Sequence, residues 1–470
     1  LDEECGNLAL AGLRTLGFAK KELTRDEFDR FFRVYNEAKA CITQDRAQRV
    51  DQVRTSLEQG MELLGVTGVE DLLQHDVQKS LVEIRNAGIK VWMLKGDKEE
   101  TATCIARSTR LVSNRTEIVS LIAPNKSQAE VKLFDAMRGR DSSGGGGPLP
   151  LIIDGSTLQI CLDQLRDKFV SAVRQAPAVI CCRCAPTQKA AIVELMKQVT
   201  GKRTAAIGDG GNDVSMIQAA DVGLGIVGKE GKHASLAADF SINQFSYCTQ
   251  LILWHGRNSY KRSARLSQFV IHRGLIISII QAVFSAIYYF AAIPVFTGWL
   301  IVGYSTLYTM FPVLTIVFDE DVTRNVAFQF PELYTDLQLG RVLSFRTFLT
   351  WVWKAVYQGG IIMLLAIFLF ESNFLRIQSI SFTALILTEL VLVVLEVHKV
   401  NFLMILSEIL SIGIYIGSIF LLPSYFDIPF ILSPHFWWKV LVIVTASCLP
   451  ILVVKVFMRF WNPPAWRKVK

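Results

Sequence analysis

Six long apolar blocks fill the C-terminal part of this 470-residue chain and constrain its fold more than any other feature. A helix needs about 20 apolar residues to cross the hydrocarbon core of a bilayer. The alternative, core helices of a soluble protein, does not account for six such blocks in succession. The sequence therefore predicts six membrane-spanning helices, at 270–292, 299–318, 348–370, 377–397, 402–422 and 436–457.

The distribution of lysine and arginine predicts how these helices are oriented. The net charge is +7, and much of the excess lies beside the first predicted span and at the C-terminus. Because such residues stay on the cytosolic face, the charged link 319–346 and the C-terminus are expected in the cytosol. The links near Pro294, at 371–376 and at 423–435 then face the opposite side. No nucleic-acid-binding motif accompanies the charge, so we expect no nucleic-acid partner.

The part of the chain before the apolar blocks alternates charged and apolar residues, as soluble α/β domains do. Helical spacing of apolar residues predicts helices within 26–64 and at 76–86, 98–106 and 187–198. Short apolar runs predict strands at 89–94, 151–153, 178–181, 204–207 and 222–226. Strands that alternate with helices indicate a mostly parallel sheet covered on both faces. A glycine-rich run within 138–150 predicts a flexible surface loop.

The most informative turn lies between a predicted strand and a predicted helix. Residues 208–213 read Gly-Asp-Gly-Gly-Asn-Asp, and parallel sheets place their sites at the carboxyl ends of strands. Asp209 and Asp213 offer the hard oxygen ligands that magnesium prefers. The glycines allow a phosphate to approach the backbone closely. The Asn212 amide can bind an anionic oxygen.

Two further turns carry similar residues. Lys189 lies near the start of a predicted helix, where its ammonium group can contact a phosphoryl group. A solvated surface lysine is the alternative. Lys95, Gly96 and Asp97 follow another strand, and an ordinary loop with a helix cap at Asp97 is the alternative there. Three such turns in order on one α/β pattern favour a phosphate site.

With these motifs in place, the chain resembles the C-terminal part of the type IV P-type ATPases, the phospholipid flippases. The resemblance extends through 230–235, 244–247 and 255–260 and continues into the apolar blocks. It implies the end of a nucleotide-binding domain at 1–22 and a HAD-like phosphorylation domain at 23–250. It also implies a transmembrane domain with six helices at 251–470.

The resemblance implies a set of site residues. It implies catalytic roles for Lys189, Asp209 and Asp213, with magnesium bound by Asp209 and Asp213. It implies nucleotide contacts from Arg14, Lys95, Gly96, Asp97, Arg183, Lys189, Asn212 and Asp213. Lys95 departs from the family pattern, which has Thr at this position to contact the transferred phosphate.

The implied function is ATP-driven translocation of a phospholipid from the luminal to the cytosolic leaflet through an aspartyl-phosphate. The Asp-Lys-Thr-Gly-Thr phosphorylation motif does not occur in this sequence. We therefore expect an N-terminally truncated chain that is inactive alone. Gly211 and the Arg273-Gly274 pair are similar to the Golgi and endosomal branch of the family. That branch is thought to act without an accessory β-subunit.

Two other functions remain open: a cation-transporting P-type ATPase, and a non-catalytic membrane fragment that binds nucleotide. The first two predicted spans contain no carboxylate before Asp319, which disfavours an ion pump. Glu389, in the middle of a later span, is either a structural hydrogen-bond partner or a contact for a lipid headgroup.

Overall fold

The computed structural model of the chain describes residues 2–10, 13–41, 46–69, 73–138, 148–228, 232–290, 292–370 and 373–461. It forms two compact units, Leu1–Arg85 with Lys90–Cys248 and Asn86–Ile89 with Thr249–Lys470. Most of the loop predicted at 138–150 lies outside the described residues, as do Gly12 and the basic C-terminal residues 467–470.

The described part of the first unit contains nine strands in three sheets. In chain order the strands are β1 Arg14–Lys20, β2 Glu62–Val69, β3 Trp92–Leu94, β4 Val119–Ser120, β5 Leu151–Asp154, β6 Val179–Cys182, β7 Ala205–Gly208, β8 Val222–Ile226 and β9 Phe240–Ile242. β1 and β2 form an antiparallel pair. The other two sheets, β3-β6-β5-β4 and β7-β8-β9, are parallel throughout. The prediction of a mostly parallel sheet is confirmed, although it occurs as two separate sheets.

Eleven helices connect these strands among the described residues of the first unit. They are α1 Asp2–Leu10, α2 Arg25–Ala40, α3 Arg46–Leu57, α4 Val77–Asn86, α5 Glu99–Ser108, α6 Lys126–Arg138, α7 Gly155–Gln164, α8 Arg166–Gln175, α9 Pro186–Thr200, α10 Val214–Ala219 and α11 His233–Ala237. Pro186 starts α9, where a missing N–H costs nothing, and Gly201 ends it with a φ of +61°. The helical prediction for 26–64 is wrong at its end, because Gly60 (φ +69°) ends the helical region and β2 begins at Glu62.

The core of the first unit surrounds β5 and β6. All four residues of each strand are buried, the pattern of strands covered on both faces.

In the other parallel sheet, β7-β8-β9, Asp221 fixes the start of β8. Its carboxylate accepts the Thr204 backbone N–H (2.9 Å) and contacts Lys197 (3.1 Å) and Arg203 (3.0 Å). The pKa of Asp221 is lowered to about 2, chiefly by the hydrogen bond from the Thr204 N–H. Burial raises this pKa, while Lys197 and Arg203 lower it further.

Among the residues of the second unit that the structure describes, six helices are long and apolar enough to cross a membrane, as predicted. They are span 1 Ser246–Ile287, span 2 Gly298–Phe318, span 3 Phe345–Phe368, span 4 Phe374–Glu396, span 5 Phe402–Leu421 and span 6 Pro434–Trp461. Span 4 is the central helix, since 83% of its most apolar window is buried within the protein, against 44% or less for the others.

Three of the spans depart from regular α-helical geometry, and span 3 does so at its end, where Ala366–Phe370 is π-helical. In span 2, a π-helical segment Tyr304–Tyr308 precedes a break at Thr309 (φ −124°) and a second helix, Met310–Thr315. Span 1 begins with a π-helical segment, Gln250–Gly256, before the long helix Arg257–Ile287. Short helices also lie in the links, at Arg324–Gln329, Thr335–Gln338 and Ile428–Ile431.

Ion pairs join the start of span 1 to the links that follow spans 2 and 4. Asp321 accepts hydrogen bonds from Arg257 (2.9 Å) and Lys261 (2.6 Å). Asp319 lies 3.0 Å from the His398 ring. Burial would raise the pKa of Asp321, but the positive charges of Lys261 and Arg257 hold it below its ordinary value. These buried pairs therefore hold three segments of the bundle together.

Candidate phosphate and magnesium site

The turns that follow β3 and β6 are bound to each other through their backbones. The Lys95 N–H donates to the carbonyl of Cys181 (2.8 Å), and the Cys184 N–H donates to the carbonyl of Lys95 (3.0 Å). The Arg183 N–H donates to the carbonyl of Asp97 (3.0 Å). Parallel pairing of β3 with β6 brings these two carboxyl ends together, so the two predicted turns form one structure.

The turn after β6 sets the start of α9. Arg183 adopts a left-handed conformation (φ +49°), and a Cβ at Gly155 would lie 2.3 Å from its carbonyl oxygen. The Gln188 side chain accepts the Ala185 N–H (3.0 Å) and donates to the Gly155 carbonyl (2.9 Å). The sequence reasoning missed Gln188. Its position as the third residue of a helix that begins with proline is the signal that could have identified it.

The turn after β7 brings two predicted catalytic residues into contact. The Lys189 ammonium lies 2.8 Å from an Asp213 carboxylate oxygen, and these side chains are only 10% and 15% exposed. A Cβ at Gly208 would lie 2.4 Å from the Cβ of Asp213. Glycine at 208 is therefore what allows Asp213 to lie against the end of β7 and reach Lys189. The solvated surface lysine considered for Lys189 is excluded by this burial.

Asp209 and Asn212 are exposed on the same turn, while a Cβ added at Gly211 would have no atom within 4 Å. Asp209 and Asp213 thus present one exposed and one mostly buried carboxylate. Among the described residues, no group of three or more His, Cys, Asp or Glu side chains could hold a metal. Magnesium fits a site of two carboxylates, because it keeps several waters and takes further oxygens from phosphates.

The remaining predicted residues lie at or near these turns, with one exception. Lys95 and Asp97 contact each other at 3.6 Å, and Gly96 and Arg183 are exposed. Arg14 lies instead in β1, and its side chain is outside the described part of the structure.

A second polar cluster lies inside the membrane bundle. Glu389 of span 4 is fully buried, and its carboxylate lies 3.2 Å from His272 of span 1 and 3.3 Å from the Tyr304 hydroxyl of span 2. The other ring nitrogen of His272 lies 2.8 Å from the Gln358 side chain of span 3. The sequence reasoning identified Glu389 but not His272 or Gln358. A titratable residue within an apolar span was the available signal for His272.

Comparison with known proteins identifies the family. Residues 235–464 match the family described as phospholipid-translocating P-type ATPase C-terminal. Over 470 residues and its whole length, the chain is 53% identical to the probable phospholipid-transporting ATPase IIB of Bos taurus. In sequence, the chain matches the C-terminal part of the phospholipid-transporting P-type ATPases. The family prediction is therefore confirmed.

Other phospholipid-transporting ATPases align with the chain over its whole length. It is 49% identical to the probable phospholipid-transporting ATPase tat-5 of Caenorhabditis elegans over 472 residues. It is 44% identical to the phospholipid-transporting ATPase NEO1 of Saccharomyces cerevisiae over 474 residues. The chain spans 41% of the bovine protein, 43% of the nematode protein and 41% of the yeast protein. It therefore corresponds to the C-terminal part of much longer relatives.

Proposed function

We propose that this chain is the C-terminal part of an ATP-driven pump that moves a phospholipid from the exoplasmic or luminal leaflet to the cytosolic leaflet. The pump acts through an aspartyl-phosphate intermediate. The observation that carries the proposal is the Lys189–Asp213 contact beside the exposed Asp209, in a chain that continues into six spans. The names of the relatives, which are phospholipid-transporting ATPases, support the choice of substrate.

In this proposal Asp209 and Asp213 hold magnesium, and Lys189 adds a fixed positive charge to the same turn. When bound, magnesium neutralises charge on the transferring phosphoryl group. Lys189 holds Asp213 in one orientation through the 2.8 Å contact. Its ammonium also offers an electrostatic contact to an anionic oxygen, and a charge fixed in a partly dry site is more effective than one in water.

We further propose that ATP is contacted by groups on or beside the three turns and by β1. The proposed contacts are Arg14, Lys95, Gly96, Asp97, Arg183, Lys189, Asn212 and Asp213. The hydrogen bond from the Arg183 N–H to the Asp97 carbonyl keeps two of these turns in register. Lys95 replaces the hydroxyl of the family's threonine with an ammonium group that can pair with phosphate as a point charge.

The phosphorylated aspartate in this proposal comes from a segment outside the chain, and the isolated chain is inactive. Among the described strands, β3 and β7 are edge strands, each hydrogen-bonded to one neighbour. Both carry site residues at their carboxyl ends. A further parallel strand paired with β3 and β7 would join the two parallel sheets. Its own carboxyl end would then lie beside Lys95 and Asp209, which supports an aspartate at that position.

The buried charges of the bundle favour a lipid over a cation as the transported species. Glu396 is bound by Lys354 (2.8 Å) and Lys455 (2.9 Å), and Glu389 faces His272. Hard cations need about six or more oxygen ligands, and these carboxylates already have cationic or imidazole neighbours. A cation-transporting pump is therefore the less supported alternative.

We also propose that the protein is a multi-pass membrane protein of the Golgi, the trans-Golgi network or endosomes, and that it needs no accessory β-subunit. The support is the branch-like sequence at Gly211 and at Arg273-Gly274.

Hydrolysis of ATP by the full-length protein in detergent tests this proposal. We expect phospholipid to stimulate hydrolysis, and exchange of sodium for potassium to have no effect. Asp209→Asn should abolish the activity. Asp163→Asn, which removes the same charge from an exposed carboxylate paired with Gln159 on α7, should leave it unchanged. Stimulation by a cation but not by lipid would favour the ion pump. Absence of hydrolysis under all conditions would favour a non-catalytic nucleotide-binding fragment.

A further inference from the structure

Three cysteines lie close together at the end of β6 and in the turn that follows it. Cys181 and Cys182 are the last two residues of the strand, and Cys184 follows two residues later. Cys181 and Cys182 are fully buried, whereas Cys184 is 7% exposed. Cys184 is therefore the thiol of this group that a small molecule in solution can reach.

Two of these thiols share one side of the sheet, and the third lies on the other side. Neighbouring side chains of a strand point to opposite faces, which separates Cys181 from Cys182. Cys181 and Cys184 belong to the same hydrophobic cluster, and Cys182 belongs to another. The Cys182 thiol donates there to the carbonyl of Ile153 (3.4 Å). Cys181 and Cys184 are therefore the pair whose sulfurs can react with each other.

A hydrogen bond joins the Cys181 and Cys184 thiols. The Cys184 thiol also donates to the carbonyl of Cys182 (3.6 Å). The chain bends between the paired cysteines at Arg183, whose φ is +49°. A left-handed residue allows the sharp turn that brings residues three apart in sequence close together. The backbone of this turn thus places the two thiols in contact.

The surroundings of Cys184 favour its thiolate, which is the form of cysteine that attacks electrophiles. The hydrogen bond with Cys181, helped by the positive charge of Lys189 and opposed by burial, lowers the pKa of the Cys184 thiol. The same hydrogen bond, together with burial, raises the pKa of the Cys181 thiol. An accessible, activated thiol beside a second, resolving thiol is the arrangement found at cysteines that respond to oxidants.

We propose that Cys184 and Cys181 form a modification site at which hydrogen peroxide converts the two thiols to a disulfide. The Cys184 thiolate sulfur attacks one peroxide oxygen and the O–O bond breaks. The hydroxide that leaves takes up the proton lost by Cys184 and becomes water, and Cys184 is left as a sulfenic acid. The Cys181 sulfur then attacks the Cys184 sulfur. The S–O bond breaks, and the hydroxide that leaves takes the Cys181 proton to form a second water.

The disulfide changes the turn that holds Lys95. The Lys95 N–H donates to the carbonyl of Cys181 (2.8 Å), and the Cys184 N–H donates to the carbonyl of Lys95 (3.0 Å). Because an S–S bond is shorter than the contact between two hydrogen-bonded sulfurs, oxidation draws Cys184 toward Cys181. The two hydrogen bonds that fix the backbone of Lys95 are thereby disturbed.

Digestion with trypsin separates the reacting cysteines unless a disulfide joins them. Cleavage after Arg183 leaves the first two cysteines in peptide 175–183 and Cys184 in peptide 184–189. The full-length protein in detergent is treated with hydrogen peroxide, denatured in excess iodoacetamide and digested. We expect mass spectrometry to find the two peptides joined, with the alkyl group on Cys182. Dithiothreitol added before denaturation should remove the joined species.

Three variants test which thiols react. Cys181→Ala and Cys184→Ser should lose the joined peptides completely. Cys182→Ala is the matched control, because it removes an equally buried thiol from the other face of the sheet, and it should keep them. Peroxide should also change hydrogen exchange of the amides in 93–98. That change is expected in wild type and Cys182→Ala, and its loss is expected in the other two variants.

The peroxide concentration is raised until the half-buried Cys104 is oxidised, so that a negative result is decisive. Unjoined peptides at that concentration overturn the proposal. So does a disulfide through Cys182, or a sulfinic acid on Cys184 while Cys181 remains free to be alkylated. If Cys181→Ala does not fold, the position of the alkyl group in wild-type peptide 175–183 decides which cysteine has reacted. The reaction needs neither ATP nor phospholipid, so its outcome does not depend on whether the protein proves to be a lipid pump.

Discussion

Replacing Lys189 by methionine should loosen the turn after β7. The Lys189–Asp213 separation of 2.8 Å corresponds to a Coulomb attraction of about 6 kcal/mol at an effective dielectric constant of 20. Desolvation offsets part of this attraction, and removing one partner of a buried pair costs about 3–5 kcal/mol. Because both side chains keep some solvent contact, we expect Lys189→Met to lose about 3 kcal/mol of stability, at the lower end of that range.

Hydrogen exchange of the whole chain in detergent measures this loss locally. A loss of about 3 kcal/mol should speed exchange of the β7 and α9 amides by about 100-fold. In the double variant Lys189→Met/Asp213→Asn no buried charge is left unpaired, so most of the protection should return. The reasoning is refuted if Lys189→Met changes exchange less than threefold, or if the double variant exchanges as fast as Lys189→Met alone.

Further predictions concern the same sheet. Gly208→Ala should lower the free energy of unfolding by about 1–3 kcal/mol, because its Cβ would lie 2.4 Å from the Cβ of Asp213. Urea unfolding followed by circular dichroism measures this loss. Gly211→Ala should lower the free energy of unfolding far less, because a Cβ there would have no atom within 4 Å. Asp221, whose pKa is lowered to about 2 chiefly by the Thr204 N–H, should stabilise the fold above about pH 4 and lose that contribution as the pH falls toward 2. Asp221→Asn should lack this acid-dependent step in the same assay; an unchanged acid profile would contradict the assignment.

The number and position of the spans could be predicted because apolar length is a local property of the sequence. The residue at which span 1 starts could not be predicted in this way. The helix begins at Ser246, well before the predicted residue 270, because a polar helix can continue beyond the bilayer without any hydropathy signal. The antiparallel pair β1–β2 was missed because two helices separate its strands along the chain.

The candidate site was predictable in its residue types but not in its contacts. The turns that hold Lys189 and Asp213 each carry a local pattern, whereas their 2.8 Å contact depends on how α9 packs against the end of β7. The contact between His272 and Glu389 had no local signal, because the two residues lie on spans separated by two others. Long-range packing therefore supplied what motif spacing could not.

Transport of a fluorescent phospholipid by the full-length protein in liposomes tests the central claim most directly. We expect ATP-dependent loss of the lipid from the leaflet opposite the nucleotide-binding side. Asp209→Asn should abolish it, and the exposed control Asp163→Asn should retain it. Normal transport by Asp209→Asn would contradict the assignment of the turn after β7 as the magnesium and phosphate site.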